Sequence, residues 1–215
     1  MLFKKLTLTA AAVLCVAFAC AAEARAQGNH EYAPIAEKAV GYKDWTFKSL
    51  KDGTPVNLRR WAQGKKLVAV VYFAPWCPNW HNEAPVLARL YDKYKAHGFD
   101  VIAVSEYADP EASRKFFGEA GPPYTVVVES EGREAREQTT HYAFRQACSD
   151  ARRWGSPFNV FLEPARLNKT GDVLTEKPFV VGGELIEQEV EQFIRERLGL
   201  GEKTAGKADA APRNN

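Results

Sequence analysis

The stretch "VVYFAPWCPNWHNEAP", residues 70–85, holds the side chains best suited to chemistry. An apolar run ends in Ala74-Pro75-Trp76, Cys77 follows, and a helical pattern begins at once. A sulfur at the mouth of a helix faces the unpaired N–H groups of the first turn, which stabilise negative charge. The thiolate is the form of cysteine that attacks disulfides and that peroxides oxidise. Cys77 is therefore the candidate nucleophile. Trp76 flanks it and offers a shallow apolar surface for a partner, and Trp80 is assigned to the same substrate groove. His81 falls on the helical face of Cys77, where a positive ring would favour the thiolate. A thiolate with an imidazole would suit Cu(I). The obvious third ligand, His141, lies on a long polar segment out of register with this pair, so no metal site is expected.

Four cysteines are encoded, and two of them, Cys15 and Cys20, lie in an N-terminal secretory pattern. Lys4 and Lys5 precede the apolar stretch "LTLTAAAVLCVAFACAA", and Ala24-Arg25-Ala26 supplies small residues for cleavage before Gln27. The expectation is a cleaved signal over 1–26 and a periplasmic or secreted chain without stable membrane insertion. Only Cys77 and Cys148 then remain, in a compartment that permits oxidation. Cys148 is either inert and buried or a remote thiol that could resolve a disulfide formed on Cys77.

The 215 residues suit one well-cored domain. With 46% hydrophobic and 26% charged residues the composition is globular, and a net charge of +2 without basic runs argues against nucleic acid as a partner. Residues 27–44 read as a flexible lead-in. "WTFKSLKDGTPVNL", residues 45–58, alternates around Asp52-Gly53 as a β-hairpin would. "KLVAVVYFA" (66–74) and "FDVIAVSEY" (99–107) are continuous apolar runs that predict strands buried on both faces. Between them Trp80, Ala84, Leu87, Leu90, Tyr91 and Tyr94 recur at helical spacing, Pro85 should kink the helix, and Gly98 closes it. Asp109-Pro110 opens another helix, and "YTVVVES" (124–130) is a third strand. Residues 132–153 read as one long polar helix, 157–164 and 173–181 as a second hairpin pair, 184–198 as a terminal helix, and 200–215 as a disordered tail. Alternating strands and helices predict an α/β fold with a central sheet covered on both sides.

On these elements the chain resembles the thioredoxin-fold proteins of the TlpA-like/redoxin group, which are thiol–disulfide oxidoreductases. The resemblance spans about Trp45 to Leu198 and rests on the leading hairpin, the strand into Trp76-Cys77, the Pro85 helix, "DVIAVSEYADPEASRKFF" and Gly155-Ser156-Pro157. It implies a thioredoxin-like fold over 45–199, with a central mixed sheet and an N-terminal β-hairpin. It also implies Cys77 as the attacking thiol, Pro157 in a cis peptide against that sulfur, and Ser156 offering backbone groups to an extended substrate. Protein or low-molecular-weight thiols and disulfides would be the partners, with a monomer and no cofactor. The sequence departs from the pattern at Trp80, where a second cysteine normally resolves the mixed disulfide, and at Val71, where thioredoxins proper carry a buried acid. Exchange then ends through Cys148 or an external thiol; the other reading is a binding module that has lost the reaction. Peroxiredoxins, on the same fold, place a hydroxyl residue and a proline where this chain has Ala74 and Val70, which disfavours peroxidase chemistry.

Overall fold

The computed structural model describes residues 30–201. The expected signal, most of the expected tail and the first residues of the lead-in lie outside the described residues. Three short strands come first among the described residues: β1 (Tyr32–Ala33), β2 (Ala36–Glu37) and β3 (Tyr42–Lys43). The lead-in expected to be flexible over 27–44 thus carries three short strands within its described residues. From His30 onward the segment is pinned, because β1 pairs in parallel with β12 (Glu184–Leu185) and β2 pairs antiparallel with β11 (Phe179–Val181). Two-residue strands carry too little periodicity to be seen in sequence; their stability comes from the edges they join.

The predicted hairpin is present as β4 (Thr46–Ser49) and β5 (Pro55–Asn57). Gly53 sits at its turn with φ 74°. A short helix α1 (Leu58–Trp61) follows, capped by the Asn57 side chain, which accepts from the Arg60 N–H. The central strand β6 (Leu67–Phe73) is buried along its whole length, as its unbroken apolar run requires. Helix α2 (Pro78–Tyr94) runs as one helix through Pro85 and ends in a short 3₁₀ turn, where Gly98 adopts φ 100°. Then come β7 (Phe99–Ser105), α3 (Pro110–Phe117) and β8 (Thr125–Val128).

The long polar helix expected over 132–153 is two elements: a 3₁₀ stretch, Arg133–Gln138, and α4 (Thr140–Ala147). Thr139 breaks them by turning its hydroxyl into an N-cap that accepts from the Tyr142 N–H. The strand β9 (Phe158–Leu162), the short β10 (Val173–Thr175), β11, β12 and the helix α5 (Glu187–Arg197) are the last elements among the described residues. The expected hairpin pairing of 157–164 with 173–181 holds only for its second part. β9 pairs with β11, while β10 pairs with β3.

The main sheet runs β2-β11-β9-β6-β7-β8-β4-β5. β6, β7 and β8 are parallel and the flanking pairs antiparallel, so the sheet is mixed. Alternation along β6 separates two cores. Leu67, Ala69, Val71 and Phe73 face α2 and α5, whereas Val68, Val70 and Tyr72 face α1, α4 and the Tyr42–Trp45 corner. No helix among the described residues is long and apolar enough to cross a membrane.

Candidate functional site

Cys77 is the N-cap of α2, just past the end of β6. Its N–H donates to the Ala74 carbonyl (2.9 Å), which closes the Ala-Pro-Trp turn and aims the side chain across the sheet end. Pro78 occupies the first helical position, where a missing N–H costs nothing. The Cys77 Sγ lies 3.1 Å from the Ser156 carbonyl oxygen, and the Ser156–Pro157 bond is cis. Ser156 is itself held, because its Oγ accepts from the Ala74 N–H at 2.9 Å. The turn before Cys77 and the loop before β9 are thus bonded to each other at two points. Cys77 is 7% exposed as a residue and belongs to the core cluster beneath the end of β6.

Trp76 precedes Cys77 and packs, half-buried, against the same core. Its indole N–H donates to the Tyr107 carbonyl (3.1 Å), and its ring meets Trp154 edge-on at 5.3 Å. Tyr107 has φ 60°, an uncommon conformation for an aromatic residue, and its N–H is tied to the Ser130 Oγ. Arg133 lies over the indole that was expected to offer a shallow apolar surface, with its guanidinium carbon 4.1 Å from the ring centre.

Trp80 is placed differently from the groove position assigned to it in the sequence. It is fully buried, stacked 4.5 Å from Phe73 and packed beside Phe116. Position 80 is the third residue of the helix, and its side chain turns inward under the sheet end. The site of a second thiol is therefore filled with core. His81 is exposed, and its Nε2 donates to the Pro75 carbonyl at 2.7 Å, while the ring stands edge-on to Phe116. That bond braces the same turn that presents Cys77.

Cys148 is not brought to Cys77. It caps α4 within the core on the other face of the sheet, and both cysteines are free. Burial pushes the Cys148 thiol up to about 11, so it is a protonated core residue at neutral pH. His141, read from sequence as part of a polar helix, is wholly buried. It stacks on Tyr72 at 4.5 Å and shares a hydrogen bond with the Tyr107 hydroxyl at 3.0 Å. Burial, with Arg145 and Arg152 nearby, holds it well below the usual imidazole range and therefore neutral. No group of three or more His, Cys, Asp or Glu suited to a metal occurs among the described residues.

Several supporting residues escaped the sequence reading. Glu83 lies inside α2, yet it is 2% exposed; its Oε2 accepts from the Asn159 amide (3.2 Å) and the Leu185 N–H (2.9 Å). It thereby ties the helix bearing Cys77 to the strand that follows Pro157. Burial pushes its carboxyl up to about 8. Arg145 is fully buried under the 149–157 loop, donates to the Arg152 carbonyl (3.0 Å) and pairs with Asp150 (3.3 Å). Its guanidinium fills the space where a Cβ on Gly155 would sit, 2.2 Å from Cζ. Gly155 has φ 57°, so two constraints at that position call for glycine. A charged residue at a helical position normally reads as solvated, and nothing in the local sequence marks Glu83 or Arg145 as exceptions.

The Redoxin family matches residues 36–153, more than half of the chain. Comparison with curated proteins returns no match. Among solved structures, a thiol:disulfide interchange protein from Bacteroides sp. is similar at 18% identity, with 78% of this chain and 95% of that chain covered and a TM-score of 0.52. A thioredoxin family protein from Chlorobium tepidum TLS, described as a thiol:disulfide interchange protein, has 16% identity, coverage of 75% and 98%, and a TM-score of 0.51. A protein from Chlorobium tepidum assigned as thiol:disulfide interchange protein DsbE has 23% identity, the same two coverages of 75% and 98%, and a TM-score of 0.51. At these identities the likeness is one of fold. From the family match and the sheet, helix and loop geometry together, this chain belongs to the Redoxin family and has the thioredoxin-like fold.

Proposed function

We propose that this protein is an extracytoplasmic thiol–disulfide oxidoreductase that works through one cysteine. The observation that carries the reading is the position of Cys77: at the cap of α2, with its sulfur 3.1 Å from the Ser156 carbonyl. A polypeptide or small thiol entering here would meet a nucleophile and a backbone acceptor together. In the forward step the Cys77 thiolate attacks one sulfur of a substrate disulfide. A bond forms between Sγ and that sulfur, the substrate S–S bond breaks, and the departing sulfur leaves as a thiolate that takes a proton from water. With Trp80 in the core and Cys148 beyond the sheet, an external thiol completes the exchange by attacking the mixed disulfide and returning Cys77 to its reduced form.

The test is mass spectrometry of the protein after incubation with glutathione disulfide, with Cys77→Ser and Cys148→Ser controls. One glutathione adduct, on Cys77 and retained in Cys148→Ser, is the expected result. No adduct on native protein, or an adduct on Cys148 alone, overturns the reading and favours a binding module. A linked peptide joining Cys77 and Cys148 under oxidant would replace the external-thiol step with an internal one. The extracytoplasmic placement is supported by the Lys-flanked apolar leader and its small residues. N-terminal sequencing of the secreted or periplasmic protein checks it, with Gln27 as the expected first residue.

A further inference from the structure

Beside Cys77, Trp76 and Trp154 meet edge-on, and three guanidinium groups crowd the pair. Arg133 lies 4.1 Å from the Trp76 ring centre and 5.5 Å from that of Trp154; Arg136 and Arg153 lie 5.6 and 5.1 Å from Trp154. A guanidinium lying over an aromatic ring still carries five N–H donors for other partners. Arg136 spends its edge on Glu137 and on the Arg153 carbonyl. Arg133 and Arg153 are exposed and, among the described residues, donate to no acceptor and pair with no carboxylate. The carboxylates of the same segment do not compensate them. Glu134 folds back over Gly132, and Glu137 is engaged by Arg136.

Resting on the exchange chemistry proposed for Cys77, we propose that Arg133 and Arg153 form a carboxylate-reading mouth, and that the substrate is a low-molecular-weight disulfide or thiol carrying negative charge close to its sulfur. Planar guanidinium groups held by aromatic rings are preorganised for carboxylate, so less freedom is lost on binding than with a lysine. The small size is inferred from the low exposure of Cys77, 7% for the residue, which favours a flexible small disulfide over one fixed in a folded partner. The Trp pair is the platform on which the arginines lie, and the arginines supply the charge.

Stopped-flow reaction of the reduced protein with two aromatic disulfides tests this: the dianionic 5,5′-dithiobis(2-nitrobenzoate) and the neutral 4,4′-dithiodipyridine. The quantity read is the ratio of the two rates. In Arg133→Gln/Arg153→Gln the anionic-to-neutral ratio should fall about fivefold, as the loss of two exposed charge contacts implies. Arg133→Lys/Arg153→Lys should retain most of it, and raising salt to about 0.5 M should lower it in the native protein, since exposed charges are screened. A ratio unchanged by both the Gln variant and salt overturns this proposal alone. Absence of reaction with either probe overturns the exchange reading and this proposal with it. Faster reaction with an acidic cystine peptide than with glutathione disulfide overturns the assignment to small molecules.

Discussion

Glu83 makes a prediction that can be followed in free energy. Its carboxyl is buried between α2, Asn159 and Leu185, and burial raises it from 4.5 to about 8. An unfolded glutamate is ionised above about pH 5, so between those values the native state holds a proton that the unfolded state has lost. Stability must therefore fall as pH rises through this window and level off above the native value. The slope for one retained proton is about 1.4 kcal/mol per pH unit. The range from pH 6.5 to 8 is the useful one. Below it, His141, held neutral in the fold, begins to oppose folding because the unfolded ring binds a proton that the native ring refuses. Glu106, also buried and raised, adds a slope of the same sign as that of Glu83. The comparison is therefore between native protein and Glu83→Gln, an amide that mimics the protonated acid and keeps the acceptor for Asn159 and Leu185. Urea unfolding at fixed pH should show the advantage of native over variant shrinking by ~1.5 kcal/mol between pH 6.5 and 8. A difference that stays constant across that range would mean that Glu83 is ionised in the native protein and would refute the reasoning.

Trp80→Ala removes a fully buried indole stacked on Phe73, and denaturant unfolding should register a loss of about 3–5 kcal/mol. Ser156→Ala leaves the Ala74 N–H without its acceptor in a buried setting; a loss of about 1–2 kcal/mol and slower alkylation of Cys77 are expected, measured by unfolding and by reagent uptake. Gly155→Ala forces a Cβ onto the Arg145 guanidinium at a left-handed backbone position. It should lower the melting temperature by several degrees, as a cost of about 1–3 kcal/mol implies, read by calorimetry.

The sequence was most legible where one period governs a long run. The buried strands β6 and β7 and the start of helix α2 stand where their patterns place them, to within a residue or two, and α3 starts at its Asp109 cap but ends at Phe117, short of the Ala120 its pattern suggested. The hairpin β4–β5 was readable from Asp-Gly between alternating segments. Legibility ended where the deciding partner is distant in the chain. Nothing local shows that Tyr32 and Ala36 will find the edges of a sheet more than a hundred residues away, or that 173–175 will pair with β3. The cysteine was visible because a strand, a turn and a helix start surround it. Trp80 reads equally well as groove or core, since a helix position next to a reactive turn faces both, and the inward face was the one taken. His141 was misplaced, and Cys148 was left open between core and remote thiol, because Thr139 splits the polar segment and both residues turn inward on α4.

Because the space beneath the end of β6 is already full, a second sulfur cannot be installed at position 80 by one exchange of side chain. Cysteine there would leave a hollow close to the size of an indole ring against Phe73 and Phe116, and voids of that kind are costly in a close-packed interior. Enlarging a neighbour first would crowd the tryptophan still in place. Conversion to a two-sulfur enzyme therefore requires at least two coordinated changes, the intermediate being worse folded than either end. The packing around one ring thus guards the proposed one-cysteine chemistry against drift.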